Sequence, residues 1–97
     1  MASTKAFRDF VLDQLRNLDN IVCKSMMGEY LLYQNGILFG GIYDDRFLIK
    51  KTESNKNYFL QEEIPYKNAK PMLMVENFDD ADYLGELIKK TCADLKK

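Results

Sequence analysis

The chain has 97 residues, with 14 Lys and Arg against 15 Asp and Glu, and it contains no histidine. This length predicts one domain over residues 1–97 with a single hydrophobic core. The net charge of −1 disfavours a general nucleic-acid binder, because such proteins usually carry excess cations for phosphate contacts. The lack of histidine excludes Ser–His and Cys–His nucleophile systems, so we expect a globular domain that is not an enzyme.

The two cysteines, Cys23 and Cys92, form no CxxC pair, whereas a zinc site normally needs four Cys or His ligands. We therefore predict no metal and no cofactor. Two buried free thiols in a reducing cytosol are the favoured interpretation, and a Cys23–Cys92 disulfide is the alternative. The N-terminal residues lack the apolar segment of a secretory signal, and no apolar run approaches the roughly 18 residues of a membrane span. The sequence thus predicts a cytoplasmic protein without membrane contact.

The first element is predicted to be an amphipathic helix of about four turns, capped by Ser3 or Thr4. Its apolar residues recur at intervals of three and four and are Phe7, Phe10, Val11, Leu15 and Leu18. Residues 21–26 follow as an edge strand whose polar members discourage further pairing. Gly28 then permits a tight turn.

Residues 29–51 predict three antiparallel strands joined by two turns, at Asn35-Gly36 and Asp44-Asp45. The double glycine Gly40-Gly41 indicates a bulge or the close approach of another backbone. In the third of these strands, Phe47 and Ile49 lie on one face, and Arg46, Leu48 and Lys50 lie on the other. Ser54 is then predicted to cap a short helix that extends through Leu60.

In that short helix we expect Tyr58, Phe59 and Leu60 to point inward. A further strand is predicted at residues 72–75, and a final helix is predicted to begin with Asp79 as its N-cap. The fold class is therefore α+β, with an antiparallel meander sheet of about five strands flanked by N-terminal and C-terminal helices in two layers.

Three features are candidates for function, and each has a structural alternative. The carboxylate pairs Asp44-Asp45, Glu62-Glu63 and Asp79-Asp80 are explained as a turn, a loop and a helix start. The aromatic residues Tyr30, Tyr33, Phe39, Tyr43, Phe47 and Tyr58 could stack bases, but a sheet core explains them better. Exposed methionines at Met26-Met27 would indicate a protein interface, whereas burial as gap-filling is the favoured interpretation.

Five segments, in chain order, carry a resemblance to a known family. They are KSMMGEY at residues 24–30, Leu32-Tyr33 with Asn35-Gly36 and Phe39, DDRFLIK at 44–50, MLMV at 72–75 and DDADYL at 79–84. Together they resemble the N-terminal domain of the TfoX/Sxy-type competence regulators of bacteria, over nearly the whole chain. The usual Met-Phe-Gly of the family is Met26-Met27-Gly28 here. Full-length members also carry a C-terminal helical domain, so we expect a stand-alone N-terminal-type domain.

The resemblance implies an α+β domain without known catalytic activity, whose fuller relatives co-regulate transcription of DNA-uptake genes through a protein partner. We therefore predict a non-enzymatic regulatory or protein-interaction module. Its candidate interaction surface comprises Met26, Met27, Gly28, Arg46, Lys50 and Lys51.

Two alternatives remain open at this point. One is direct nucleic-acid binding through Arg46, Lys50, Lys51 and the sheet aromatics, although the balanced charge disfavours it. The other is a small-molecule-binding domain or minor enzyme that uses Cys23 or a carboxylate. A homodimer through an exposed sheet edge or the Met26-Met27 region is compatible with every one of these hypotheses.

Overall fold

The computed structural model describes residues 3–96, which form an α+β fold of two layers. In chain order the elements are α1 (Lys5–Gln14), β1 (Ile21–Met26), β2 (Glu29–Gln34), β3 (Ile37–Tyr43), β4 (Arg46–Ile49), a 3-10 turn (Lys56–Tyr58), β5 (Glu62–Glu63), β6 (Met72–Met74) and α2 (Ala81–Lys96). The strands form one antiparallel sheet in the order β1-β2-β3-β4-β6-β5. The predicted fold class is confirmed, with six strands in the described chain because β5 adds a two-residue strand.

Three two-residue turns of the same type join the first four strands. Their central residues are Met27-Gly28, Asn35-Gly36 and Asp44-Asp45, and all six have φ between 52° and 85°. Positive φ at both central positions defines the type I′ turn, whose twist matches that of the flanking strands. The predicted edge strand and both predicted hairpin turns are therefore confirmed.

Both helices pack on one face of the sheet and form the core with it. Val11 of α1, Leu15 directly after it, and Leu84 and Leu87 of α2 are buried in one cluster with the side chains of β2, β3, β4 and β6 that face the helices. Because neighbouring strand residues point to opposite faces, the other half of each strand projects away from the helices. We call this second side of the sheet the outer face.

Gly40 and Gly41 lie where strands approach closely, as predicted. The register between β2 and β3 shifts at Leu32/Tyr33, which marks a bulge at Phe39, next to Gly40. A Cβ atom on Gly41 would lie 2.5 Å from the Tyr30 carbonyl oxygen, and one on Gly40 would overlap the backbone of β4. Backbone atoms cannot move aside cheaply, so both positions require glycine.

The helices differ from prediction at their ends. Thr4 is the N-cap of α1, and its Oγ1 accepts from the Phe7 amide at 3.1 Å. The helix is shorter than predicted, with 10 residues, and Phe10 is 45% exposed, with its ring edge-on to that of Phe78. The predicted Asp79 cap is wrong: α2 begins at Ala81, and the Asp80 carboxylate accepts from the backbone of its first turn.

The segment between β4 and β6 also departs from prediction. Only Lys56–Tyr58 is helical, and it is a single 3-10 turn. Tyr58 and Leu60 pack against the core as expected. Phe59 does not, because its φ of 55° reverses the chain direction and leaves the side chain 89% exposed. Among the described helices, neither is long and apolar enough to cross a membrane.

The buried amide of Asn55 anchors this segment. Its Nδ2 donates to the Lys50 carbonyl and to Thr91 Oγ1, each at 2.8 Å, and its Oδ1 accepts from the Thr52 amide at 2.8 Å. Thr91 in turn donates to the Leu87 carbonyl. The end of β4 is thereby fixed to α2.

Candidate interaction surface

An open groove of about 800 Å³ runs across the outer face of the sheet. Its apolar lining comes from β1, β2 and β3, from β6, from the chain between β5 and β6 and from Leu95 of α2, and includes Met26, Leu31, Leu38, Tyr43, Tyr66 and Met72. The charged lining residues are Lys50, Lys51, Glu62 and Lys70. We call this feature the outer groove, and the two helices pack on the opposite side of the sheet.

The alternation of β1 and β2 explains why apolar groups reach the outer face. Tyr30 and Leu32 face the helices and are buried, so Leu31 and Tyr33 point outward. In β1, Lys24 is paired with Leu31 and lies on the same outer side. The second strand is thus apolar on both faces, which is typical of a strand covered on both sides.

The β4 half of the outer face is already covered. Residues 64–71, which connect β5 to β6, fold back over it, and Tyr66 lies against Tyr43 with ring centroids 6.1 Å apart. Leu48 is fully buried there although it faces away from the helices. The β1–β3 half keeps its apolar side chains partly exposed, so the outer groove is the open part of this face.

Arg46 holds the covering segment in place. Its guanidinium lies 3.0 Å from the Glu63 carboxylate and donates to the carbonyls of Ile64 and Pro65 at 3.2 and 3.4 Å. Its Nε also donates to the Tyr43 carbonyl. The role of Arg46 in this geometry is therefore to shape the groove wall.

The two methionines of the candidate surface are exposed, so the favoured interpretation of gap-filling is wrong. Met26 is 48% exposed and lines the outer groove, and Met27 is 96% exposed at the tip of the turn. Gly28 is exposed beside them, and its carbonyl accepts from the Ser3 amide at 3.0 Å. Exposed methionines suit a contact surface because their flexible side chains adapt to different partners.

A hydrogen-bond network fixes this end of the sheet. Glu29 Oε1 accepts from the Ser3 amide and hydroxyl at 2.9 and 2.8 Å, and Glu29 Oε2 accepts from the Asp44 amide at 2.9 Å. The Asp45 amide donates to Ser3 Oγ at 3.1 Å. The start of α1 therefore joins the turn at Met27 to the turn at Asp44-Asp45.

The three predicted basic residues do not act as one cluster. Lys51 Nζ is neutralised by the Glu62 carboxylate at 2.9 Å, and Arg46 is neutralised by Glu63. Lys50 lines the groove, and no carboxylate within residues 3–96 forms an ion pair with it. The geometry thus weakens the hypothesis of nucleic-acid binding, since two of its three cations are occupied.

The aromatic residues are divided between the two faces. Tyr30, Phe39 and Phe47 belong to the buried core, and Tyr58 lies against Tyr83 of α2. The members on the outer side, Tyr33 and Tyr43, are covered by Lys24 and by the connection at residues 64–71, respectively. Burial, and then the neighbouring Tyr66, raises the pKa of Tyr43. Residues 3–96 therefore present no row of exposed aromatic faces for bases.

The cysteines are both free thiols, and the alternative of a disulfide is wrong. Cys92 is buried, whereas Cys23 is only partly buried against the core. Burial raises the pKa of both thiols, and for Cys23 the nearby Arg8 opposes this only in part. Lys24 is not beside the thiol, because its ammonium lies over the Tyr33 ring at 5.0 Å on the outer face.

The residues required by the small-molecule hypothesis do not meet in the groove. Cys23 faces the helices, and Glu62 is the one carboxylate among the described lining residues, already paired with Lys51. In the described part of the chain, no three His, Cys, Asp or Glu residues are arranged to hold a metal ion.

Sequence reasoning missed most of the groove. Leu31, Leu38, Tyr66 and Lys70 were not among the predicted surface residues, yet all four line it. One signal could have found part of it, because the run Tyr30–Tyr33 is apolar at consecutive positions and so must place apolar groups on both faces.

Comparisons with known proteins agree with this fold over most of the chain. The family model for the TfoX N-terminal domain matches residues 13–93. The chain is also 31% identical to a protein of Spirochaeta aurantia, described as an uncharacterized 12.7 kDa protein in the trpE 5′ region. That alignment covers 98% of this chain and 85% of the relative. The chain therefore belongs to the TfoX N-terminal domain family.

Proposed function

We propose that this chain is a non-enzymatic regulatory module that binds a protein partner through the outer groove and the adjoining turn at Met26-Met27-Gly28. The observation that carries the proposal is the open apolar groove on the outer face, beside two exposed methionines. Monomeric proteins rarely leave a contiguous apolar surface exposed without a use for it. The opposite face of the sheet is filled by the two helices.

Rigidity of the surroundings supports a binding role. The turn at Met27 is fixed through Glu29 to Ser3 and to the turn between β3 and β4, and the opposite wall is fixed through Arg46. A surface held in its bound shape loses little conformational entropy on binding, so more of the contact energy appears as affinity.

Family membership gives the regulatory part of the proposal. The resemblance of this chain to TfoX/Sxy-type regulators implies that its full-length relatives co-regulate the transcription of DNA-uptake genes. This chain would contribute to the same process from the cytoplasm. Two free thiols suit that compartment, since structural disulfides are rare there. The interaction itself would be made by the protein surface without a cofactor.

Site-specific photo-cross-linking in the host cell tests the interaction. A photoreactive residue at Met26 should form a cross-link to a specific second protein, and the same residue at exposed Lys89 of α2 should not. The product should diminish when Leu38→Ser is added, because this change removes an apolar contact from the groove. Identical products from both positions, or products with the chain itself alone, would contradict the proposal.

Transcript measurement tests regulation separately. Deleting the gene should change the abundance of DNA-uptake transcripts, and the wild-type chain should restore it. The Leu38→Ser chain should fail to restore it, whereas Lys89→Ser should succeed. If all strains have the same transcripts while the cross-link persists, the module binds a partner for another purpose.

A further inference from the structure

The outer groove is lined by more cations than anions, with Lys50, Lys51 and Lys70 against Glu62. Lys50 and Lys70 line it, and neither forms an ion pair within residues 3–96. Lys24 stands beside it on the same face, with its ammonium over the Tyr33 ring. Three uncompensated cations therefore surround one apolar surface.

The carboxylates near the groove are already engaged. Glu62 pairs with Lys51 at 2.9 Å, Glu63 pairs with Arg46 at 3.0 Å, and Glu29 accepts hydrogen bonds from backbone amides and a hydroxyl. The local excess of cations is notable because the whole chain has a net charge of −1. Complementarity of charge across an interface steers association and selects partners.

We propose that the outer groove binds an acidic segment of a partner protein, with apolar side chains seated among Leu31, Leu38 and Met26. Asp or Glu residues of that segment would face Lys50, Lys70 and Lys24. This inference rests on the proposed function and specifies the chemistry of the partner. A basic or neutral segment would leave these lysines without partners in a contact that partly excludes water.

Selection from a library of random 12-residue peptides, displayed on phage and captured by the purified full chain, tests this chemistry. Enriched peptides should carry net negative charge and at least one large apolar residue. Their dissociation constants, measured by fluorescence anisotropy, should weaken steeply with salt because exposed charges are screened. The Leu38→Asp variant should lose the same peptides.

Charge reversal provides the matched comparison. The double variant Lys50→Glu/Lys70→Glu should bind the enriched peptides about tenfold more weakly, because two attractive contacts with acidic peptide residues become repulsive. Lys5→Glu/Lys89→Glu makes the same change in net charge on exposed helix residues and should alter affinity less than about twofold. Equal losses in both doubles, peptides without acidic excess, or no enrichment at all would overturn the inference.

The outcomes separate this inference from the function on which it rests. A partner cross-linked through Met26 whose contacting segment is not acidic would overturn the charge argument and leave the interaction module intact. Acidic peptides that bind the groove, together with no cross-linked partner in the cell, would support the groove chemistry and contradict the proposed function.

Discussion

Replacing Asn55 by alanine should destabilise the fold more than any change to an exposed polar residue. The side chain is fully buried and makes three hydrogen bonds of 2.8 Å, to Lys50, Thr91 and Thr52. Each bond contributes about 1 kcal/mol net, and the abandoned buried groups add the cost of desolvation. The free energy of unfolding should fall by about 3–4 kcal/mol, a large share of the 5–15 kcal/mol typical of a domain.

Urea unfolding measures this loss. With a slope of about 1–3 kcal/mol per molar urea, the midpoint should fall by about 1–4 M. Asn57→Ala, an exposed change in the same segment, should stay within about 0.5 kcal/mol of wild type. Thr91→Val removes one of the three bonds to Asn55 together with the bond from Thr91 to the Leu87 carbonyl, and it should cost about 1–2 kcal/mol. A loss below about 1 kcal/mol for Asn55→Ala would refute the proposed anchor.

Three further predictions concern the turn, the glycines and the thiols. Met27→Asn should raise the free energy of unfolding by about 0.5–1 kcal/mol, because φ is 52° there and asparagine tolerates this region, whereas Met27→Ala should give no gain. Gly41→Ala should lower the free energy of unfolding by about 1–3 kcal/mol, because the new Cβ would overlap the β2 backbone. Gly85→Ala should raise it slightly, since the nearest atom to the new Cβ would be 3.7 Å away. Thermal unfolding compares the two variants, and equal effects would contradict this explanation. Alkylation of Cys23 and Cys92 by iodoacetamide should be slow at pH 7 and should speed up with rising pH, levelling off at a higher pH than for an unburied thiol, because burial raises the pKa of both thiols and only the thiolate reacts. Mass spectrometry should show Cys92 modified last, and rapid labelling of Cys23 at pH 7 would argue against this order.

Local sequence signals account for most of the fold. The Asn35-Gly36 turn could be predicted because few residue pairs adopt positive φ twice in succession. Helix ends and the irregular segment were harder, because they depend on distant contacts. Phe10 contacts Phe78 and stays partly exposed. Phe59 points outward because its backbone has a positive φ.

The interaction surface was much less accessible to sequence reasoning. Arg46, Lys50 and Lys51 are close together in the chain and so suggested one basic cluster. Two of them instead form ion pairs with β5, Arg46 with Glu63 and Lys51 with Glu62, and these pairs could not be read from the sequence. The outer groove combines strand residues with the 64–71 connection, so no single segment contains its pattern. Of the predicted surface residues, Met26, Lys50 and Lys51 line the groove, and Met27 and Gly28 are exposed beside Met26.

The affinity of the cross-linked partner for groove variants tests the central claim most directly. Its dissociation constant, measured by titration calorimetry with purified proteins, should rise about tenfold for Leu38→Ser, because the few side chains that cost more than about 1 kcal/mol on truncation cluster at the centre of an interface, where this account places Leu38. The exposed α2 change Lys89→Ser should leave the affinity unchanged. An unaltered affinity for folded Leu38→Ser, or a loss for Lys89→Ser instead, would show that the partner binds elsewhere than the outer face.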